Sequence, residues 1–120
     1  MPSDEQRLRI EFLTESRAHL ADRRASLADE FSRELRRRRG ECIEAQVLRG
    51  EDAQNLEADE AMESETARAL IRAIASHPQL GMRLRELAGE IDEVDRRLAQ
   101  VEADIQALTG ARPKGEQASP

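Results

Sequence analysis

Residues 80–108 read LGMRLRELAGEIDEVDRRLAQVEADIQAL. Apolar side chains fall at Leu80, Leu84, Leu87, Ile91, Val94, Leu98, Val101, Ile105 and Leu108, and the steps between them alternate four and three throughout. A mean step of about 3.5 residues is the a/d seam of a coiled coil, held here for about four heptads with Leu84, Ile91, Leu98 and Ile105 at a. So narrow a stripe cannot line a broad globular core. It calls for a partner helix carrying a matching stripe. Gly110 and Pro113 then supply the stop.

Upstream, Leu70 and His77 precede Leu84 at steps of seven. The register thus runs through Ser76-His77-Pro78-Gln79 and predicts one helix over about 56–109, kinked near 76–78. The alternative is a new helix opening at Pro78, with Ser76 and Gln79 as an approximate capping box. Ala61, Met62, Ala69, Leu70, Ala73 and Ile74 extend the apolar face. Before them, residues 49–55 (RGEDAQN) form the best turn, with Gly50 as a helix C′ residue and Asn55 as the next N-cap. Glu57, Asp59 and Glu60 would then load the first turn of that helix, where its dipole favours acids.

The first helix is predicted over about 3–48. Ser3-Asp4-Glu5-Gln6 is a capping box, and no Pro or Gly follows until Gly40. Ile10, Leu13, Leu20, Leu27, Phe31 and Leu35 keep a rough heptad seam, on which Arg17 and Arg24 take apolar positions. Their stems can cover the seam while their heads reach solvent; the alternative is a buried ion pair that fixes register. Arg36–Arg39, with Arg33, reads as a solvated helix face, with phosphate or an acidic partner as the other possibility. Gly40 marks a kink or an end, after which Cys42, Ile43, Val47 and Leu48 resume the pattern. A short connection between two long helices predicts an all-α antiparallel helical hairpin over residues 1–110, with 111–120 a disordered polar tail. The Ala and Arg at its seams make a lone hairpin marginal, so two copies are expected to pair into a helical bundle as a homodimer.

Charged residues make up 37% of the chain and aromatic residues 2%, with no Trp or Tyr, which suits long packed helices better than a compact enzyme core. The net charge is −6, and residues 41–70, with two Arg against nine acids, carry −7, so the rest of the chain is close to neutral. That balance argues against direct nucleic-acid binding. Cys42 is the lone cysteine, so neither an intrachain disulfide nor a cysteine metal cluster can form. The opening residues are too polar for a signal peptide, and no apolar run approaches the ~18 residues of a membrane span. The expectation is a cytoplasmic protein. No glycine-rich phosphate loop or Gly-x-Ser-x-Gly elbow is present. Glu15 and His19 stand one turn apart, but the Glu-x-x-His pairs on two helices that a di-iron bundle needs are missing. No catalytic residue, metal or cofactor is therefore expected, and His77 reads as a polar seam residue or a cap beside Pro78.

Residues 84–98 (LRELAGEIDEVDRRL) resemble the opening helix of the small all-helical chorismate mutases. The arginines of that family would fall at Ala88 and near Asp104, so the resemblance implies no mutase activity. The acidic turn, residues 50–57 (GEDAQNLE), resembles the tip of the bacterial transcript-cleavage (Gre) factors, whose pattern is Gly-Asp-Leu-x-Glu-Asn-x-Glu-Tyr. Gly50, Asn55 and Glu57 match, and Glu51 replaces the first acid. Asp59-Glu60-Ala61 is similar to the Asp-x-Ala tip of the DksA/TraR proteins. Both families insert an acidic hairpin tip into the secondary channel of RNA polymerase. Gln54 stands where the Gre pattern has its second metal-holding carboxylate, and Ala58 replaces the Tyr, so transcript cleavage is not implied.

Two functions follow as expectations. The first is a non-enzymatic coiled-coil module for protein–protein interaction, an adaptor, scaffold or chaperone-like protein, dimerising through the Leu80–Leu108 seam. The second is a transcription modulator presenting Glu51, Asp52, Glu57, Asp59 and Glu60 to RNA polymerase.

Overall fold

A computed structural model describes residues 3–48, 59 and 61–110. The fold is all-α, and among the described residues there is no strand. Helix α1 spans Asp4–Arg37, α2 Arg39–Glu44, α3 Glu65–Ala75 and α4 Met82–Thr109.

The start of α1 is as expected. Ser3 Oγ accepts from the Gln6 N–H at 3.1 Å, and the Ser3 N–H donates to Gln6 Oε1 at 2.9 Å, closing the capping box. Asp4 and Glu5 occupy its first turn and Arg36 and Arg37 its last, the placement that the helix dipole favours. The helix does not run to residue 48. It breaks at Arg38 (φ −109°, ψ 22°), two residues before Gly40, which lies inside α2. Helix α2 then closes in a Schellman motif: the Val47 N–H donates to the Cys42 carbonyl at 3.1 Å and the Gln46 N–H to that of Ile43 at 3.0 Å. Gln46 takes the left-handed C′ conformation (φ 62°) that a glycine usually supplies. Gly50, proposed for that role, lies outside the described residues, as does the 49–55 turn.

The second half of the chain needs a larger correction. No single kinked helix runs over 56–109. Helix α3 starts at Glu65, where Ser64 Oγ caps the Ala67 N–H at 3.1 Å. Asp59 thus lies ahead of this helix and not in its first turn, while Glu57 and Glu60, placed with it by the sequence, lie outside the described residues. It ends at Ser76, whose hydroxyl donates to the Arg72 carbonyl at 3.2 Å. A turn follows over His77–Leu80, closed by the Leu80 N–H on the His77 carbonyl at 3.4 Å. Pro78 has no N–H to continue the helix and pushes His77 out of the helical region. The fourteen-residue spacing from Leu70 to Leu84 survives the break because both face one core, not because one helix joins them.

The chain divides into two compact units, one from Met1–Asp22 with Arg96–Pro120 and one from Arg23–Asp95. The larger unit holds a closed core. Phe31, Cys42, Met62, Ile71, Ile74, Leu84, Leu87 and Ile91 are all but inaccessible, joined by Leu27, Leu35, Leu48, Leu70, Leu80 and Val94. Its part of α1 runs antiparallel to its part of α4: Arg24 pairs with Asp95 and Glu30 with Arg83, numbers that rise on one helix and fall on the other. This is the predicted helical hairpin, with α2 and α3 added to its core. Arg38 adds a further clasp. It bonds Glu34 at 2.8 Å and Glu41 at 3.1 Å, and lies so close to Gly81 that a Cβ there would meet its guanidinium at 3.2 Å.

The smaller unit is thinner. Among its described residues only Leu13 is buried. Ile10, Leu20, Leu98, Val101, Ile105 and Leu108 are half-buried, as expected where two helical segments cover each other on one side only.

Candidate functional site

The strongest polar constellation centres on Arg24. Its place on the α1 seam, between Leu20 and Leu27, turns a charge into the core, where it is only 4% exposed. All three guanidinium nitrogens donate. Nε donates to Asp95 Oδ1 at 2.9 Å, Nη2 donates to the Met62 carbonyl at 2.7 Å, and Nη1 donates to the Ala61 carbonyl. The planar fork of Arg fits such a set of acceptors better than the point charge of Lys. Of the two readings of the seam arginines, the buried ion pair holds for Arg24, while Arg17 reaches solvent.

What Arg24 holds is the end of the acidic third of the chain. Met62 buries its side chain while its backbone sits at φ 53°, a conformation that costs a non-glycine residue energy. The two carbonyl bonds from Arg24 and the packing of the Met62 side chain keep it there. Just upstream, the Asp59 carboxylate accepts from the Ser64 N–H at 3.1 Å and the Glu63 N–H at 3.4 Å. Partial burial works against ionisation of Asp59, but hydrogen bonding from the Ser64 side chain and from the Ser64, Glu63 and Met62 N–H groups outweighs it and holds the carboxyl below its ordinary range. Of the five acids proposed as a partner-binding tip, Asp59 therefore organises the approach to α3. Glu51, Asp52, Glu57 and Glu60 lie outside the described residues.

The basic run is largely self-satisfied. Arg33 pairs with Asp29, Arg37 with Glu34 at 3.7 Å, and Arg38 with Glu34 and Glu41. Beside it, Glu30, Arg33, Glu34, Arg37, Arg83 and Leu87 line an open groove of about 180 Å³. Its arginines already face carboxylates of the same chain, which lowers the gain from binding an added anion. Cys42 is a free, buried thiol whose pKa is pushed up by burial and by Glu41. His77 accepts at Nδ1 from the Gln79 N–H at 3.4 Å, the cap beside Pro78 that the sequence allowed. Among the described residues no three His, Cys, Asp or Glu side chains gather as a metal site, and no helix is long and apolar enough to cross a membrane.

The proposed oligomer seam divides in two. Leu80, Leu84, Leu87, Ile91 and Val94 are consumed by the core of their own chain, whereas Leu98, Val101, Ile105 and Leu108 keep part of their surface. Seam counting missed a second apolar feature. Leu8 and Phe12 lie off the seam register and are 66% and 67% exposed on α1. Their spacing of four, on one helix face, was the available signal. The chain matches no protein-family model, no curated protein and no solved structure.

Proposed function

We propose that the protein is a non-enzymatic interaction module, an adaptor, scaffold or chaperone-like protein that works by helix-to-helix recognition and pairs with a second copy of itself. One observation carries this reading: the seam continues in unbroken register from Leu98 to Leu108, yet its own chain covers those four residues only in part. Heptad positions left half-open on a helix are the surface that another helix covers. The buried free thiol of Cys42 suits a reducing compartment, and we assign the module to the cytoplasm. Sedimentation equilibrium at ~100 μM, above the Kd of a dimer of moderate affinity, tests the self-pairing. The wild type should be dimeric in part, and Leu98→Asp should shift it to monomer by placing a charge on the open seam. A wild type that is strictly monomeric there would remove the homodimer from the proposal.

A second reading, the transcription modulator that presents an acidic turn to RNA polymerase, draws support from the Arg24 grip on Ala61 and Met62, which gives the acidic segment a fixed end. Neutralising Glu51, Asp52, Glu57 and Glu60, with Asp59 left in place, should then abolish an effect on in-vitro transcription without loss of helix content. An effect unchanged by that substitution would rule this reading out.

A further inference from the structure

Glu5, Leu8, Phe12, Glu15 and His19 follow one another on α1 at steps of three, four, three and four. They therefore line one stripe of the helix, and all five are exposed. The stripe is distinct from the Ile10, Leu13 and Leu20 face that turns inward. Its centre is apolar, with Phe12 and Leu8 more than half open to water, and it carries the carboxylates of Glu5 and Glu15 and, at its far end, the imidazole of His19.

The order of those charges selects a partner. Arg9 flanks the stripe three residues before Phe12 and Glu15 lies three after it; Glu5 lies seven before and His19 seven after. A second α1 laid antiparallel, with a two-fold axis at Phe12, sets Phe12 on Phe12 of the second copy and Leu8 beside the second copy's half-buried Ser16. The same axis sets Arg9 against Glu15 and Glu5 against His19, and symmetry makes each pair twice. Moving the axis to Ile10 would oppose Glu5 with Glu15, and a parallel arrangement would oppose each charge with its like. Like charges at an interface are penalised, so the pattern favours one register and one direction.

We propose that this stripe is a self-docking surface, closed by a second copy of the chain antiparallel about Phe12. The proposal rests on the reading of the protein as a helix-to-helix recognition module, and adds to it a second face and a defined geometry. The contact is isologous, so it closes at two copies. A stripe of four helical turns falls below the ~1,200 Å² of standard interfaces. The pairing is accordingly weak, with a Kd of about 10–100 μM, and sensitive to salt.

Charge exchange tests it, in the full chain at low salt by sedimentation equilibrium up to ~500 μM, well above that Kd. Arg9→Glu and Glu15→Arg, each alone, should weaken self-association about tenfold or more while circular dichroism stays unchanged, since both positions are exposed. An equimolar mixture of the two variants should associate as tightly as the wild type, because both pairs are then Glu against Arg. Phe12→Asp should remove the association that remains when the seam is blocked by Leu98→Asp. Single variants that pair like the wild type, or a mixture no tighter than either alone, would overturn the inference. If Leu98→Asp dissociates the dimer while Arg9→Glu and Phe12→Asp do not, the seam alone makes the dimer: this inference fails and the proposed function stands. A wild type monomeric throughout overturns both modes of self-pairing.

Discussion

Arg17 and Arg24 stand one heptad apart on the same helix and at the same seam position, yet they behave in opposite ways. Arg24, in the larger unit, is buried with three acceptor groups around it; Arg17, in the smaller unit, is exposed. The seam of α4 shows the same division, closed at Leu84, Leu87 and Ile91 and half-open at Leu98, Val101 and Ile105. A heptad pattern specifies which face of a helix is apolar. It does not specify how many neighbours that face has. In the larger unit α2, α3 and the Ala61–Met62 turn supply the additional neighbours, and burial becomes complete. The smaller unit has two helical segments among its described residues, and, Leu13 apart, each apolar seam residue keeps part of its surface for something else.

The largest effect expected from this contrast is at Arg24. Arg24→Met removes a buried cation and leaves Asp95 and two carbonyls without their donor, which should cost about 3–5 kcal/mol. Arg17→Met should change stability by less than about 0.5 kcal/mol, as is usual for a surface site. Urea denaturation of both variants measures the gap. Adding Asp95→Leu to Arg24→Met should recover part of the loss, because an apolar pair replaces an orphaned charge. Equal effects at positions 17 and 24 would break the comparison at its root.

A smaller difference is expected along the α4 seam. Ile91 and Leu98 occupy successive a positions, but only Ile91 is fully buried. Ile91→Ala should cost about 2–5 kcal/mol, the usual range for deleting a core aliphatic side chain. Leu98→Ala, with fewer contacts to lose, should cost about half as much. Measured at low protein concentration, where self-pairing is absent, the ratio reports intrachain burial alone. If the Leu98 cost rises with protein concentration, the open seam is covered by another chain, and the contrast between the units sharpens into a functional one.

Much of the fold was legible in the residues. The Ser3–Gln6 capping box, the Gly110 stop and the seam positions all follow from local rules, and they hold. The break between α3 and α4 runs against the heptad spacing because Pro78 constrains backbone geometry directly, whereas spacing does so only by implication. The end of α2 is hidden for the opposite reason: Gln46 takes a left-handed conformation that its side chain does not announce. Arg24 was visible as an anomaly on the seam. Its role was not, because the Ala61 and Met62 carbonyls that complete its site belong to a segment whose path no periodicity predicts. The exposed stripe of Leu8 and Phe12 does not show in a heptad seam because both residues lie beside it.

The smallest predicted effect concerns the acidic segment where it enters the larger unit. The Asp59 carboxylate accepts two backbone N–H bonds ahead of α3, much as an N-cap side chain does. Its folded pKa is lowered, and ionised Asp59 therefore stabilises the fold at any pH above the ordinary aspartate value of about 4. That contribution fades as the pH falls through the depressed folded value, where the carboxyl takes up its proton. Asp59→Asn keeps the shape and one acceptor oxygen but removes the charge, so it should cost about 0.5–1 kcal/mol near neutral pH, the scale of a cap. Against the wild type, the deficit should shrink as the pH drops below about 4. Neutralising Glu51, Asp52, Glu57 or Glu60, if they serve a partner and not the fold, should show no such pH-dependent deficit. A deficit at Asp59 that persists undiminished in acid would mean that the side chain acts through packing and not through its charge. The acidic segment would then lack the electrostatic anchor assigned to it here.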